Sequence, residues 1–329
     1  MTLKAIPAHY VTELLRSGCF PLRKWVANDP QILEDVSVEY LAKDTKSLSD
    51  PSTTTSVLGL SWSPNSDQFH FKVQVLEPSS KYTKRVVLSR IANIFDPMGW
   101  LSPIIVVGKI FMQNLWLTKL NCDDELTIEQ QNIWKNWEAQ LPFINGITIP
   151  LWNCYKPQAE VIELHVFSDA SKSAFESAGN LRIISNGELL VSLQLSKSKV
   201  APLKLLSIPR LGLAAIHLFL KITKHFIIES KFKYISVHLW TDLLDVLFWL
   251  HSQPSRWIGF VANRCSSILE NCPEVSFHHF KSKDNPTDIV LRGCSVNDLH
   301  SSALSWSGPA YLRESLLSWT GISCFKRVK

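Results

Sequence analysis

The chain is 329 residues long, with 46% hydrophobic and 10% aromatic residues, enough apolar side chain to fill more than one core. Its 34 Lys and Arg against 29 Asp and Glu leave a net charge of +5, which permits a polyanionic partner without demanding one. Seven scattered cysteines, an odd number with no C-x-x-C, exclude a disulfide framework and a zinc knuckle and point to a reducing, intracellular setting.

Nothing in the pattern predicts a membrane span. The first 18 residues lack the apolar core of a signal peptide, and Lys109 interrupts the most apolar run, "PIIVVGKIF", well short of the ~18 residues a spanning helix needs. Residues 1 to about 35 read as helical, ending in "FPLRKWVANDPQILEDV". The Ser/Thr run "TKSLSDPSTTT", residues 45–55, reads as a loop and marks a first boundary. "LGLSWSPNSDQFHFKVQV" alternates apolar and polar residues around a Pro-Asn turn, the pattern of a hairpin. "TIEQQNIWKNWEAQL" opens with a capping box of Thr127 and Gln130, and spacing places Ile133, Trp137 and Leu141 on one buried helix face. The proline-spotted connector 142–158 supplies a second boundary.

Beyond it the rhythm changes. "VIELHVFSDAS" is a strand ending in an acidic turn, and "LRIISNGELLVSLQLSKSKVAP" is a hairpin through Asn186-Gly187, a strong type I′ signal. A helix is expected from about Arg210 to Phe226, a buried strand over 235–240 running into a helix, and a last strand in "EVSFHHF" followed by a basic loop. Asp169 and Asp242 end two of these strands, and Asp288 lies in the turn after the third. Strand ends on an open sheet converge on one edge, so carboxylates there can share a cation. Singly, each such Asp reads as an N-cap or Asx turn. Asp245 reads as a solvated or capping residue, His278 and His279 as strand residues, and Trp134, Trp137 and Trp249 as core packing.

Ordered motifs then carry a resemblance. "FPLRKWVAND", "VLGLSWSPNSDQFHF", "LSRIANIFDPMGWLSPIIVVGKIFMQNLW", "HVFSDAS", "SKSKVAPLKLLSIPRLGL", "WTDLLDVLFWL", "PSRWIGFVANR", "DNPTDIVLRG" and "WSGPAYL" resemble, in order, the Pol polyprotein of BEL/Pao-type retrotransposons, in the stretch labelled Pao retrotransposon peptidase. The resemblance implies an α/β fold with an α+β N-terminal part: the end of a reverse-transcriptase palm over 1–55, a largely helical thumb and connection region over 56–158, a ribonuclease H-like mixed sheet with flanking helices over 159–295, and a tail over 296–329.

In such domains four carboxylates hold two Mg²⁺ ions that activate a water and stabilise the leaving oxygen of an RNA phosphodiester. Motif by motif, the resemblance places three metal-binding, catalytic carboxylates on Asp169, Asp242 and Asp288, and the fourth, the Glu of "IPRLEL", on Gly212. That glycine, in a helical first turn where it costs about 1 kcal/mol against alanine, supplies no oxygen. Leu243 and Leu291 also replace polar or small residues of the family pattern. Glu176 would have to leave its own element to substitute. Lys281, Lys283 and Arg292 are expected to grip a phosphate backbone beside the site.

Absences narrow the function further. There is no Tyr-x-Asp-Asp polymerase motif, since Asp123-Asp124 follows Asn121-Cys122, and no Asp-Thr/Ser-Gly protease motif, since Asp44-Thr45 is followed by lysine. The tail shows no His/Cys zinc site. The sequence therefore points to a retrotransposon-derived Pol fragment with an impaired ribonuclease H-like domain, an incomplete Mg²⁺ site, weak binding to RNA–DNA hybrid and association with other Pol fragments. The alternatives are an active Mg²⁺-dependent ribonuclease H cutting the RNA of hybrids, and a host-adapted binding protein on the same fold.

Overall fold

The computed structural model describes residues 8–42, 55–57, 60–74, 77, 79–151, 159–230, 232, 235–271, 274–314 and 324–325. The Ser/Thr run up to residue 54 and the connector over 152–158 lie outside them. Two compact units divide the chain, one of Met1–Gln74 with Phe143–Trp152 and one of Val75–Pro142 with Asn153–Lys329.

In the first unit, helix α1 (Ala8–Ser17) is shorter than its sequence suggests. It stops in a Schellman closure: Phe20 N donates to Leu15 O at 2.9 Å and Cys19 N to Arg16 O at 3.0 Å, with Cys19 at φ 62°. A 3-10 turn, Pro30–Leu33, follows, its first N–H groups capped by Asp29. Strands β1 (Thr55–Val57), β2 (Leu60–Ser63), β3 (Gln68–His70) and β4 (Thr148–Pro150) form an antiparallel sheet in that order. The β2–β3 hairpin is the one predicted, its turn locked by Trp62 Nε1 donating to Asp67 Oδ1 at 3.1 Å.

The second unit opens with α2 (Lys84–Ala92), α3 (Ser102–Trp116) and α4 (Ile128–Glu138). The Thr127–Gln130 capping box forms as read. The buried face of α4 differs from the expectation: Trp134 and Trp137 face inward, and Ile133 is 54% exposed. Two indoles at i, i+3 offer far more apolar area than one Ile, so they set the rotation of the helix.

The main sheet has strand order β10–β9–β8–β5–β6–β7, where β5 is Val161–Ala170, β6 Ala174–Ser185, β7 Glu188–Val200, β8 Ser236–Thr241, β9 Ser276–His279 and β10 Cys324–Phe325. Strands β5, β8 and β9 run parallel, while β6 and β7 are antiparallel additions. This is the ribonuclease H-like mixed sheet with flanking helices. Asn186 (φ 54°) and Gly187 (φ 77°) make the β6–β7 turn, where both central residues need a left-handed backbone. The hairpin is longer than predicted, because β6 begins at Ala174 rather than Leu181.

Alternation along β5 separates two buried faces. Leu164 and Val166 pack with Phe219 of α5 (Ile208–Ser230), and Ala170 with Leu211 and Ala215 of the same helix. Helices α6 (Leu244–His251) and α7 (Phe260–Asn271) continue that layer with Val246, Leu250 and Ile268. On the opposite face Phe167 meets Trp240, Phe280 and Leu312, while Ala174 meets Val106 of α3 and Val290 of α8 (Asp288–Arg292). Fully burying each of these large side chains contributes about 1.5–3 kcal/mol. Gly293 ends α8 at φ 72°, and a Cβ there would overlap Val107, so α3 packs directly on the helix that carries Asp288. Helices α9 (Val296–Ser301) and α10 (Ala303–Ser307) follow.

Candidate functional site

Three carboxylates gather where parallel strands end. Asp169 is the penultimate residue of β5, Asp242 follows the last residue of β8, and Asp288 opens α8. Asp169 Oδ1 accepts the Ala170 N–H at 2.6 Å and Oδ2 accepts Asn285 Nδ2 at 2.7 Å. Burial, then the charge of Asp242 and then that of Asp288, push its carboxyl up to about 6. Asp242 and Asp288 thus lie within electrostatic reach of Asp169. Among the described residues they do not close into a trio with all ligand atoms within 4.8 Å of one another.

Asp242 Oδ2 accepts Ser282 Oγ at 2.8 Å, while its Oδ1 is buried with no hydrogen-bond partner. A buried carboxylate oxygen without a donor is costly, and a divalent ion is the ordinary remedy. The acids present therefore fit one hard cation beside Asp169 and Asp242. Gly212 is the fifth residue of α5, which starts two residues earlier than read, and a Cβ built on it would overlap Leu243 Cδ1 and stand 3.6 Å from Val246 Cγ2. Leucine methyls fill the space that a side chain at 212 would occupy.

The basic residues divide. Lys281 is exposed and precedes the 3-10 turn whose Ser282 holds Asp242. Lys283 lies within that turn, its side chain outside the description. Arg292 is exposed and pairs with Asp288, Nε to Oδ1 at 3.0 Å, across one turn of α8. Asp245 is exposed in the first turn of α6.

Glu176 stands in β6 directly opposite Asp169, on the same face of the sheet, and need not leave its element. It is fully buried, and its Oε1 lies 2.8 Å from Ser196 Oγ, which also contacts Gly99 O at 2.7 Å. One hydroxyl proton cannot serve both acceptors, so a proton on Glu176 completes the pair. In keeping with that, burial, helped by the charges of Asp96 and Asp169, drives its carboxyl well above the ordinary range, despite Ser196 and Lys109.

A second polar cluster was not foreseen. Glu163, His165 and His238 bring ligand atoms within 4.8 Å of one another. Hydrogen bonds account for it better than a metal. Trp240 Nε1 donates to His165 Nδ1 at 3.1 Å, which leaves the proton on Nε2 to face Glu163 Oε2 at 3.3 Å, and Arg182 Nη1 holds the same oxygen at 2.8 Å. Both nitrogens of His165 are committed, and the guanidinium already balances the carboxylate. The alternation Glu163-x-His165 on one strand face was the available signal.

Residues 83–243, just under half of the chain, match the family model of the Pao retrotransposon-like RNaseH-like domain. The match runs from the N-cap of α2 past Asp242, and the chain thus contains a retroelement ribonuclease H-like region. No curated protein matches the sequence. Among solved structures, the chain is similar to the foamy viral protease–reverse transcriptase in complex with dsDNA, at 12% identity and TM-score 0.39, over 70% of this chain and 45% of that one. It is also similar to RNase H1 from the halophilic archaeon Halobacterium salinarum NRC-1, at 10% identity and TM-score 0.21, over 37% and 86%. The chain spans under half the length of the foamy viral protein, and superpositions this loose carry no weight here.

Proposed function

We propose that the chain is a fragment of a BEL/Pao-type Pol polyprotein whose ribonuclease H-like domain binds RNA–DNA hybrid at the Asp169, Asp242 and Asp288 rim and cleaves it poorly. The observation that carries this reading is the packing of Leu243 into the space beside Gly212. In-line displacement by two metals needs both ions clamped, and this site has donors for one. Exposed Lys172 and Arg210 lie close in sequence to Asp169 and Gly212, exposed Lys281 adjoins Ser282, which bonds Asp242, and such cations support backbone contacts that carry no sequence information.

The test is cleavage of a labelled RNA–DNA hybrid in Mg²⁺ and in Mn²⁺, beside a binding titration in EDTA at several salt concentrations. Binding that weakens steeply with salt, with cleavage at the level of an Asp169→Asn control, is expected. Robust cleavage by the native chain that Asp169→Asn abolishes overturns the impaired reading. Absence of salt-dependent binding overturns the nucleic-acid role altogether.

A further inference from the structure

The outermost strand of the main sheet, β7, carries opposite charge at its two ends. At the hairpin end Glu188 is exposed, and Glu160 Oε1 accepts the Asn186 N–H at 3.0 Å. At the other end Lys197 and Lys199 are exposed. There Ala201 N donates to Ser173 O at 2.8 Å, which brings the β5–β6 turn, with exposed Lys172, beside them. The ladder fixes how far these lysines stand from the acids. Asp169 pairs with Glu176 and Glu176 with Ser198, so Lys197 and Lys199 flank a position level with Asp169 and two strands, about 10 Å, away. A fourth exposed cation, Lys109, comes from α3, which runs along β7. Ser196 N donates to Met98 O at 2.8 Å just before that helix, and Gln113 Nε2 donates to Ala201 O at 2.6 Å near its end. Lys109 is one turn before Gln113 and therefore stands beside residues 197–199.

We propose that Lys109, Lys172, Lys197 and Lys199 form a track for the sugar–phosphate backbone of a bound duplex, holding phosphates beyond the one at the acid rim. This rests on the nucleic-acid reading of the rim and adds where the backbone leaves it. Among the described residues none of the four takes part in an ion pair. Partial burial and then the charge of Lys197 lower the Lys109 ammonium, while Asp96 and Glu176 oppose. Neither acid is a ready partner: Asp96 turns its oxygens to the Trp100 and Leu101 N–H groups, and burial drives the Glu176 carboxyl well above its ordinary range. A row of phosphates relieves the repulsion among the lysines and releases counterions as it binds. Lysines on an outer strand also deter edge pairing, but Lys109 lies on a helix, where that role does not reach.

The test uses the full chain in EDTA, with hybrids of two unrelated sequences titrated at several KCl concentrations. In the triple variant Lys109→Gln, Lys197→Gln, Lys199→Gln the slope of log affinity against log salt is expected to fall by about three, and affinity at least about tenfold on both sequences. Glu188→Gln is expected to change neither. A native slope in the triple variant overturns the track and leaves hybrid binding at the rim standing, and a loss confined to one sequence does the same. No salt-dependent binding by the native chain overturns both readings. Self-association of the triple variant with hybrid binding intact assigns the lysines to guarding the strand edge and refutes the track. If the variant misfolds, acetylation of the native chain with and without hybrid still decides: protection of Lys109, Lys172, Lys197 and Lys199 but not of Lys224 on α5 supports the track, and equal modification of all five refutes it.

Discussion

Gly212 and Leu243 share one space, since a Cβ at 212 would overlap Leu243 Cδ1. A glutamate at 212 alone gains helix propensity of up to about 1 kcal/mol but has to push the Leu243 methyls aside and then share its carboxylate with them. We expect Gly212→Glu to leave hybrid cleavage near the native level, and Gly212→Glu with Leu243→Ser to raise it by at least ~10-fold, measured with Mn²⁺ on the same labelled hybrid. A single glutamate restoring full cleavage would show that Leu243 yields freely. The sequence made the glycine conspicuous because the ordered motifs flank it. It did not reveal the leucine as its occupant, since that depends on which side chain of the β8–α6 corner turns inward. Glu176 was hidden for a different reason: the hairpin was taken to begin at Leu181, whereas the tight turn closed by Ser171 N to Ala174 O at 2.8 Å starts β6 early and brings Glu176 opposite Asp169.

At the level of the strands, the face shared by β5, β8 and β9 carries a row of imidazoles kept neutral by burial. His165 stacks on His238 with ring centroids 4.8 Å apart, and His278 stacks on Trp240 at 4.3 Å. Burial above all lowers His278 to about 4 and His238 to about 3, with the charges of their imidazole neighbours acting the same way and Glu163 opposing. Burial raises the Glu163 carboxyl, but the His165 hydrogen bond and the Arg182 guanidinium help draw it down overall. Tyr311, which stacks on Trp240, is raised by burial and by Asp284. The unfolded chain takes up a proton near 6.5 that folded His278 resists until about 4, so its contribution is full above 6.5 and lost as pH falls through about 4. Denaturant titrations from pH 7 to 4 are expected to show acid destabilisation that His278→Gln reduces by roughly 2–3 kcal/mol at pH 4. An unchanged slope in that variant would place the acid sensitivity elsewhere. Strand positions were legible from alternation, but alternation cannot say which polar residues meet across strands until the register is known.

On the scale of the molecule, helices α2, α3 and α4 belong to the main sheet's own unit. Asp96 accepts the N–H groups of Trp100 and Leu101 at 2.9 and 2.8 Å, shaping the entry to α3, and α3 in turn buttresses α8 through Val106 and Val290. A chain lacking residues 75–142 is therefore expected to lose its near-ultraviolet circular dichroism and cooperative melting. A sharp transition in that shortened chain would refute this dependence. The same loop explains how β7, the outermost strand, is finished. Its register with β6 slips between Gly179 and Asn180, passing over Gln194, and the Gln194 carbonyl is taken by Trp100 Nε1 at 3.0 Å while Ser196 N donates to Met98 O at 2.8 Å. An unfinished outer strand invites a stranger to add itself. Here the margin is hemmed from within: at Gln194 and Ser196 the fold uses its own tryptophan and main chain for bonds a second copy would seek in growing a fibre.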